Sequence, residues 1–247
     1  MRFLLLFVVA FSHVFQSDAQ ETTPTVRFSF GVSFSPDYNF RTLSNDGSYS
    51  GVLVTDSRNE REIYKIGYTT GLNIVYHVSN TIEFETGVLF SDKGFRNKKT
   101  ELTYGSQWVN GSFTDIIPVG LPSHAQFAYD HYYIDVPLKV NFNFGKKRLR
   151  FCVSGGVAAN VFLKEQVRLK LWYDDGNIER DSRDSQFDYN RFNVSPQVGA
   201  GINYRLSNRL YFKVEPTFRY GLLSIIDAPV TARLWNAGLN VGFYFKP

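Results

Sequence analysis

The chain has 247 residues and a formal net charge of +4, with Lys and Arg scattered among Asp and Glu. This length accommodates one large all-β domain or two small ones, and the modest, mixed charge argues against nucleic-acid binding. Cys152 is the only cysteine, which excludes an intrachain disulfide. The aromatic content of 17%, with 23 Phe and 15 Tyr, exceeds what a soluble core commonly needs.

The first residues have the pattern of an export signal. Arg2 precedes an unbroken apolar run at 3–11, and "SDA" at 17–19 offers the small residues of a signal-peptidase site. A short membrane anchor is the alternative, but this run is too short to cross about 30 Å of hydrocarbon as a helix. We therefore predict a signal peptide over residues 1–19 and one mature domain over residues 20–247. No later stretch approaches 18 apolar residues, so no transmembrane helix is predicted.

Apolar and polar residues alternate with period two along the mature chain, which is typical of β-strands whose two faces meet different surroundings. In "YIDVPLKVNF" (133–142), Ile134 and Val136 share one face, whereas Asp135 and Lys139 share the other. The pattern predicts eight strands, which in chain order are 26–34, 64–76, 82–90, 132–144, 149–161, 192–204, 210–220 and 235–245.

The connections between these strands alternate in length. Tight turns follow the second, fourth and sixth strands, whereas about 25 to 35 polar residues follow the first, third and fifth, at 36–62, 96–128 and 164–190. The connection after the seventh strand is intermediate. This alternation places the long loops at one end, as in outer-membrane barrels, where short turns are periplasmic and long loops lie outside.

The composition of the two faces indicates which one contacts lipid. In the fourth strand, Tyr132 begins the apolar face and Phe142 and Phe144 end it, with aliphatic residues between. Rings at both ends match the two membrane–water boundaries, and the small and charged residues opposite fit a narrow interior. A lipocalin-like soluble barrel would instead have an apolar interior. We therefore predict an all-β fold, an eight-stranded antiparallel up-and-down transmembrane β-barrel with short periplasmic turns and long extracellular loops.

Charged residues in mid-strand suggest a paired network inside this barrel, because unpaired buried charges are unfavourable. When the fourth and seventh strands run in opposite directions, Asp135 and Arg219 lie at about one height along the barrel, and Lys139 and Glu215 lie at another. The alternative is that trapped water solvates each charge separately. The predicted network comprises Glu85, Asp135, Lys139, Lys213, Glu215 and Arg219.

The sequence offers little for catalysis, so no enzyme, catalytic residue, cofactor or metal site is predicted. The mature histidines are His77, His124 and His131, of which the last two lie beside Ser123 and Asp130. Sequence neighbours alone do not form a triad, which depends on geometry. The acidic stretch 173–190 lacks the spacing of an EF-hand and has Arg residues interleaved, which favours a self-paired loop and leaves calcium binding open.

From about Thr25 to Phe245 the chain resembles the outer-membrane β-barrel family of Bacteroidetes labelled PorT-like. The similar pieces are "FSFGVSFSPDYNFR", "GYTTGLNIVYHV", "IEFETGVLFSDKGF", "YIDVPLKVNF", "VSPQVGAGINYRL" and "VEPTFRYGL". The resemblance implies insertion by the barrel assembly machinery, which reads an aromatic-rich last strand. Here Lys246 and Pro247 follow the final Phe245, so that signal is not at the very terminus. The family supplies no shared catalytic residues.

These observations predict a non-enzymatic protein of the cell outer membrane, with a plugged lumen and outer loops that bind a surface protein or glycan or shape the envelope. An accessory role in protein secretion is the alternative that the resemblance implies, and a small-solute channel is a third. The expected partners also include outer-membrane lipid. The loops carry rings beyond what turns need, namely Tyr38, Phe40, Tyr49, Tyr104, Trp108, Trp172 and Tyr173.

Overall fold

The computed structural model describes residues 27–110, 112–115, 120–145 and 147–247. The predicted signal peptide, residues 1–19, lies outside the described residues. The described chain is an all-β, antiparallel, up-and-down fold with one helix, which confirms the predicted fold class at that level.

The elements follow one another in a simple order along the chain. They are β1 (Phe28–Asn45), α1 (Tyr49–Arg61), β2 (Glu62–His77), β3 (Ile82–Asn97), β4 (Thr100–Glu101), β5 (Ser106–Val109), β6 (Ser112–Asp115), β7 (His124–Phe144), β8 (Leu149–Trp172), β9 (Ile178–Asp184), β10 (Phe192–Arg205), β11 (Leu210–Tyr220) and β12 (Val230–Phe245).

The main sheet forms through antiparallel pairing of neighbouring strands. Pairing proceeds from β1 to β2, β3, β7, β8, β10, β11 and β12, and β12 pairs back with β1. The connections 78–81 and 206–209 and the described residues of 145–148 lie at one end, which we call the turn end. The helix α1, the described residues of 98–123 and the segments 173–191 and 221–229 lie at the opposite end, which we call the loop end.

The strand faces reverse the usual arrangement of a soluble protein. On β1 and β2, Val32 and Leu72 are 54% and 66% exposed, whereas the alternating Ser33 and Asn73 are 7% and 3% exposed. Side chains alternate between the faces of a strand, so one face is apolar and outward and the other polar and inward. This is the pattern of a barrel surrounded by lipid.

Aromatic rings mark both ends of the outward apolar band. Near the loop end, Phe90 stacks with Tyr132 at 5.6 Å between ring centroids, and Tyr38 lies 5.9 Å from Trp235. A second group lies near the turn end and includes Phe28, Tyr76, Tyr204, Phe212 and Phe243. We call these groups the outer and inner girdles, and they match the interfacial belts of membrane proteins.

All three predicted long loops contain regular structure, and 96–128 includes β4, β5, β6 and the start of β7. The strand β1 continues to Asn45, where it still pairs with Val230 of β12, so Tyr38 and Phe40 belong to a strand and not to a loop. The strand β8 continues to Trp172 and pairs with the separate strand β9. Beyond the apolar band, the outward faces of these strands carry polar side chains, so the alternation no longer has the sense expected of a lipid-facing strand.

The helix α1 occupies most of the predicted first loop. Ser48 caps its first turn, where the Ser48 hydroxyl accepts a hydrogen bond from the Gly51 amide at 3.0 Å. Asp46 accepts the hydroxyl hydrogen of Ser48 at 2.6 Å, and this bond lowers the pKa of Asp46. No helix among the described residues is long and apolar enough to cross a membrane.

Candidate functional site

Four of the predicted network residues form one compact cluster inside the barrel, near the turn end. Lys139 Nζ lies 3.2 Å from carboxylate oxygens of both Glu85 and Glu215. Lys213 Nζ lies 3.1 Å from the same two carboxylates. Two cations and two anions therefore alternate around one quartet, and each side chain is at most 8% exposed. We call this set the charge quartet.

The expected pairing of Asp135 with Arg219 does not occur. Arg219 Nη1 lies 3.4 Å from Asp37 and donates to the Thr69 hydroxyl at 3.0 Å. Asp135 instead lies 2.9 Å from Lys93 Nζ. Strand tilt and the register shift between Tyr132 and Tyr133 move these residues away from the heights that residue counting gives.

The sequence missed several members of the interior network. Asp37 accepts hydrogen bonds from Ser35 and Asn236 at 2.6 and 3.0 Å. Nearer the loop end, Lys65 pairs with both Asp92 and Asp130. Ser35, Asp37, Asp92 and Asp130 lie outside the predicted strand segments, and Asp37 was assigned to a loop. For Ser35 and Asp37, the available signal was alternation that continued one and three residues past Phe34.

One small cavity lies among these interior side chains. A cavity of about 10 Å³ lies beside Lys93, Tyr133 and Asn236, which is about the room that one water needs. Near the turn end, the buried Tyr244 ring is so close to Gly31 that an added Cβ would lie 2.5 Å from it. The absence of a side chain at Gly31 therefore leaves room for the large Tyr244 side chain in the interior, as expected for a narrow barrel.

Ser29, His77 and Glu83 meet in a second site that the sequence did not predict. Ser29 Oγ lies 2.6 Å from His77 Nε2, and His77 Nδ1 lies 2.9 Å from Glu83 Oε1. This order of groups matches a nucleophile, a base and an orienting carboxylate. However, Ser29 is 0% exposed and His77 and Glu83 are each 3% exposed, which favours a structural hydrogen-bond chain.

The other two histidines lie near the loop end. His124 Nδ1 is 3.2 Å from the Ser123 hydroxyl, and no described carboxylate completes a triad there. His131 is buried with its Nε2 3.3 Å from Glu165 and its ring 5.4 Å from that of Tyr189. Tyr189 donates to Glu165, and burial followed by this bond raises the pKa of the Tyr189 hydroxyl.

The acidic stretch 173–190 uses its carboxylates within the loop. Asp175 accepts from the Asn177 amide at 2.9 Å, Asp181 pairs with Arg183 at 3.0 Å, and Asp184 pairs with Lys164 at 3.2 Å. Among the described residues, no three His, Cys, Asp or Glu side chains are grouped to hold a metal ion.

The helix α1 presents an apolar surface at the loop end. Tyr49, Val52 and Leu53 share one helical face and are 82%, 40% and 51% exposed. The helix is fixed to the barrel, because Arg41 donates to Glu62 at 2.7 Å and Glu62 also accepts from Arg58 at 2.6 Å. We call Tyr49, Val52 and Leu53 the helix patch.

Three other predicted loop aromatics, Tyr104, Trp172 and Tyr173, are engaged within the protein, whereas the side chain of Trp108 lies outside those that the structure describes. The Tyr104 hydroxyl donates to the Pro122 carbonyl at 2.8 Å, and the Tyr173 hydroxyl donates to Glu179 at 2.6 Å. The bond to Glu179 raises the pKa of Tyr173. Lys99 Nζ and Lys170 Nζ lie 4.8 and 4.6 Å from the centroid of the Trp172 ring.

Comparison with protein families identifies one match, which covers most of the chain. Residues 16–227 match the family model described as "Outer membrane protein beta-barrel domain". The protein is therefore located in the outer membrane, as predicted. Comparison with curated proteins gives no match.

Solved structures of outer-membrane proteins have similar folds at low sequence identity. Neisserial surface protein A is 10% identical with a TM-score of 0.47, covering 89% of this chain and 97% of its own. OprG from Pseudomonas aeruginosa is 10% identical with a TM-score of 0.43, covering 91% and 98%. The protease OmpT from Escherichia coli is 7% identical with a TM-score of 0.41, covering 94% and 99%.

Proposed function

We propose that this chain, which belongs to the outer membrane protein beta-barrel domain family, is a non-enzymatic eight-stranded transmembrane barrel with a plugged lumen that binds a partner through its outer surface. In this proposal the turn end is periplasmic and the loop end faces outward. The ring of eight pairings among β1, β2, β3, β7, β8, β10, β11 and β12 supports the strand number.

The interior charge network is the observation that carries the proposal. The charge quartet lies near the turn end, and the pairs Asp37–Arg219 and Lys93–Asp135 lie nearer the loop end. A barrel of this size has room for little besides side chains. A solute would have to break several buried ion pairs to pass, which disfavours the channel alternative.

We expect no steady conductance from the purified protein in planar lipid bilayers. With a plugged lumen, no continuous water-filled path would cross the barrel, so only the baseline of the bilayer should be recorded. A porin of known conductance serves as the positive control for insertion. Stable channels of constant size would contradict the plugged lumen.

The helix patch is the surface best suited to a protein partner. Exposed apolar and aromatic side chains on a rigid element are typical of binding hot spots, because little flexibility is lost on binding. The ion pairs of Glu62 with Arg41 and Arg58 hold this helix in place before any partner arrives. We therefore place the main partner contact on α1.

Replacing Tyr49, Val52 and Leu53 together by Ser should abolish cross-linking of partners on intact cells. Each side chain is solvent-exposed, so the barrel should keep its heat-dependent mobility in gels. The matched control replaces Val78 and Leu206, which are 42% and 45% exposed at the turn end, by Ser. If the helix-patch variant still cross-links to the same partners as the parent, the helix patch is not the contact.

A polar cleft supports a glycan as the second candidate partner. It has a volume of about 470 Å³ and is lined by Asp188, Tyr189, Asn190, Arg191 and Asp227. Hydrogen-bonding groups around an aromatic ring suit a polyhydroxylated ligand. Glycan-array binding that persists in the helix-patch variant would favour this candidate.

An accessory role in protein secretion, as the PorT-like resemblance implies, is the third candidate. Its support is the ordered set of sequence pieces from "FSFGVSFSPDYNFR" to "VEPTFRYGL". A deletion strain should then lose specific secreted proteins, and the helix-patch variant should fail to restore them.

A further inference from the structure

The charge quartet includes a contact that ion pairing alone does not require. Lys213 Nζ lies 3.2 Å from Oδ1 of the Asn141 side chain, in addition to its two carboxylate partners. The Asn141 side-chain nitrogen Nδ2 in turn donates to Glu85 at 2.8 Å. An amine, a carboxamide and a carboxylate are therefore in mutual contact. These are the groups that an amide bond between two side chains requires, namely a nucleophile, an electrophile and an acid–base group.

One oxygen of Glu85 contacts both nitrogens that such a reaction would involve. Glu85 Oε2 is 2.8 Å from Asn141 Nδ2 and 3.1 Å from Lys213 Nζ. A general acid–base must lie within hydrogen-bond reach of the proton that it moves. Glu85 is therefore placed to pass a proton from the attacking nitrogen Nζ to the leaving nitrogen Nδ2.

The reacting atoms are close to one another and enclosed. Because Nζ is 3.2 Å from Oδ1 and a C=O bond is about 1.2 Å long, Nζ lies within about 4.5 Å of the carboxamide carbon Cγ. Rotation about the terminal bonds of Lys213 can bring Nζ to the separation of about 3.5 Å at which such groups react. Glu85 and Asn141 are each 1% exposed and Lys213 is 3% exposed, so bulk water is kept from the carboxamide.

The charge quartet also allows the amine to become neutral without leaving an unpaired ion. A proton that moves from Lys213 to Glu85 removes the charge of both groups, and Lys139 then remains 3.2 Å from the ionised Glu215. Neutral side chains avoid the desolvation cost that buried ions carry. The uncharged Lys213 amine is a nucleophile beside the Asn141 carboxamide.

We propose that Lys213 and Asn141 form an isopeptide bond inside the folded barrel, with Glu85 as the catalytic residue. The bond between Nζ and Cγ forms, the bond between Cγ and Nδ2 breaks, and ammonia leaves. Protonated Glu85 gives its proton to Nδ2 and accepts one from Nζ, so it ends as it began. The reaction modifies the chain once and has no turnover, so it is compatible with a non-enzymatic barrel. It depends on neither the helix patch nor the polar cleft.

The bond would join β7 to β11 across the lumen. In the ring of pairings, β8 and β10 lie between these two strands on one side, and β3, β2, β1 and β12 lie between them on the other. A cross-link of this kind restricts the unfolded chain as a disulfide does, in a protein whose single cysteine allows no intrachain disulfide. The reaction follows folding, so freshly refolded protein contains the charge quartet in its ionic form.

The test compares the parent with K213R, each purified in folded form from outer membranes and digested for tandem mass spectrometry. The parent should give a branched peptide that joins Asn141 to Lys213 and lacks the mass of one ammonia. Arg keeps the positive charge but does not become a neutral nucleophile, so K213R should give only linear peptides. The control K93R makes the same change at another buried Lys, which pairs with Asp135, and should still give the branched peptide.

The identity of the peptide decides the result, because cyclisation of an amino-terminal Gln20 would also release ammonia. Only linear peptides from the folded parent would overturn the proposal, and so would a branched peptide at Asn141 that persists in K213R. Heat-dependent gel mobility verifies that each variant is folded.

A time course after refolding into vesicles tests the role of Glu85 and needs no folded K213R protein. The branched peptide should accumulate in the parent. In E85Q, which retains hydrogen-bonding groups but lacks the carboxylate, it should form at least about a hundredfold more slowly. Equal rates in the parent and E85Q would exclude Glu85 as the catalytic residue.

Discussion

Replacing Lys213 by Met is expected to destabilise the folded protein by about 3–5 kcal/mol, because it leaves a buried carboxylate without its partner. Lys213 Nζ lies 3.1 Å from both Glu85 and Glu215 and 3.2 Å from the Asn141 side-chain oxygen. After the substitution, Lys139 alone would face two buried carboxylates. Met has nearly the length of Lys, so the loss would report charge rather than a cavity.

The free energy of unfolding can be measured by urea titration in lipid vesicles, with the gel mobility of unboiled samples reporting the folded fraction. The control K147M removes an exposed Lys at the turn end and should change stability by no more than about 0.5 kcal/mol. The double variant K213M/E215Q removes one charge of each sign and should recover a substantial part of the loss. A K213M protein as stable as the parent would show that water solvates these charges separately.

The charge quartet also shows how far the sequence could lead. Period-two alternation identified the strands within the apolar band, because lipid and the interior impose opposite chemistry on successive residues. It also placed Lys139 and Glu215 at similar heights, and the structure has them 3.2 Å apart. The prediction was wrong for Asp135 and Arg219, because a pairing across the lumen depends on tilt and register shifts that the sequence does not display.

Other features required three-dimensional proximity. Ser29, His77 and Glu83 come from three successive strands and meet only after those strands pair. The outer part of β8 has the sequence "KEQVRLKLW", which still alternates but was assigned to a loop, since charge on the outward face resembles a solvated segment.

Replacing Gly238 by Val should prevent the protein from reaching its folded form. Gly238 of β12 stands opposite Asp37 of β1 on the inward face, and an added Cβ would collide with the Asp37 carboxylate. The Ser35 hydroxyl is also only 2.5 Å from that Cβ position. Displacing Asp37 would break its contacts with Thr69, Asn236 and Arg219.

The matched control is Gly155→Val, the same change on the outward face of β8. Gly155 pairs with Val140 and Val198, and an added Cβ there would meet no atom within 4 Å. A lipid-facing Val suits both the strand and the hydrocarbon, so G155V should be folded and as stable as the parent. Both variants can be compared by heat-dependent gel mobility after refolding into vesicles.

The size of the G238V effect follows from the network around Asp37. Overpacking alone costs about 1–3 kcal/mol, and breaking a buried ion pair adds about 3–5 kcal/mol, which together approach the whole stability of a typical domain. The smaller change G238A introduces the same Cβ without further bulk and should fold partially, since Asp37 could shift slightly. If G238V and G155V fold equally well, the interior around Asp37 is not closely packed. That result would contradict a lumen plugged by side chains around Asp37.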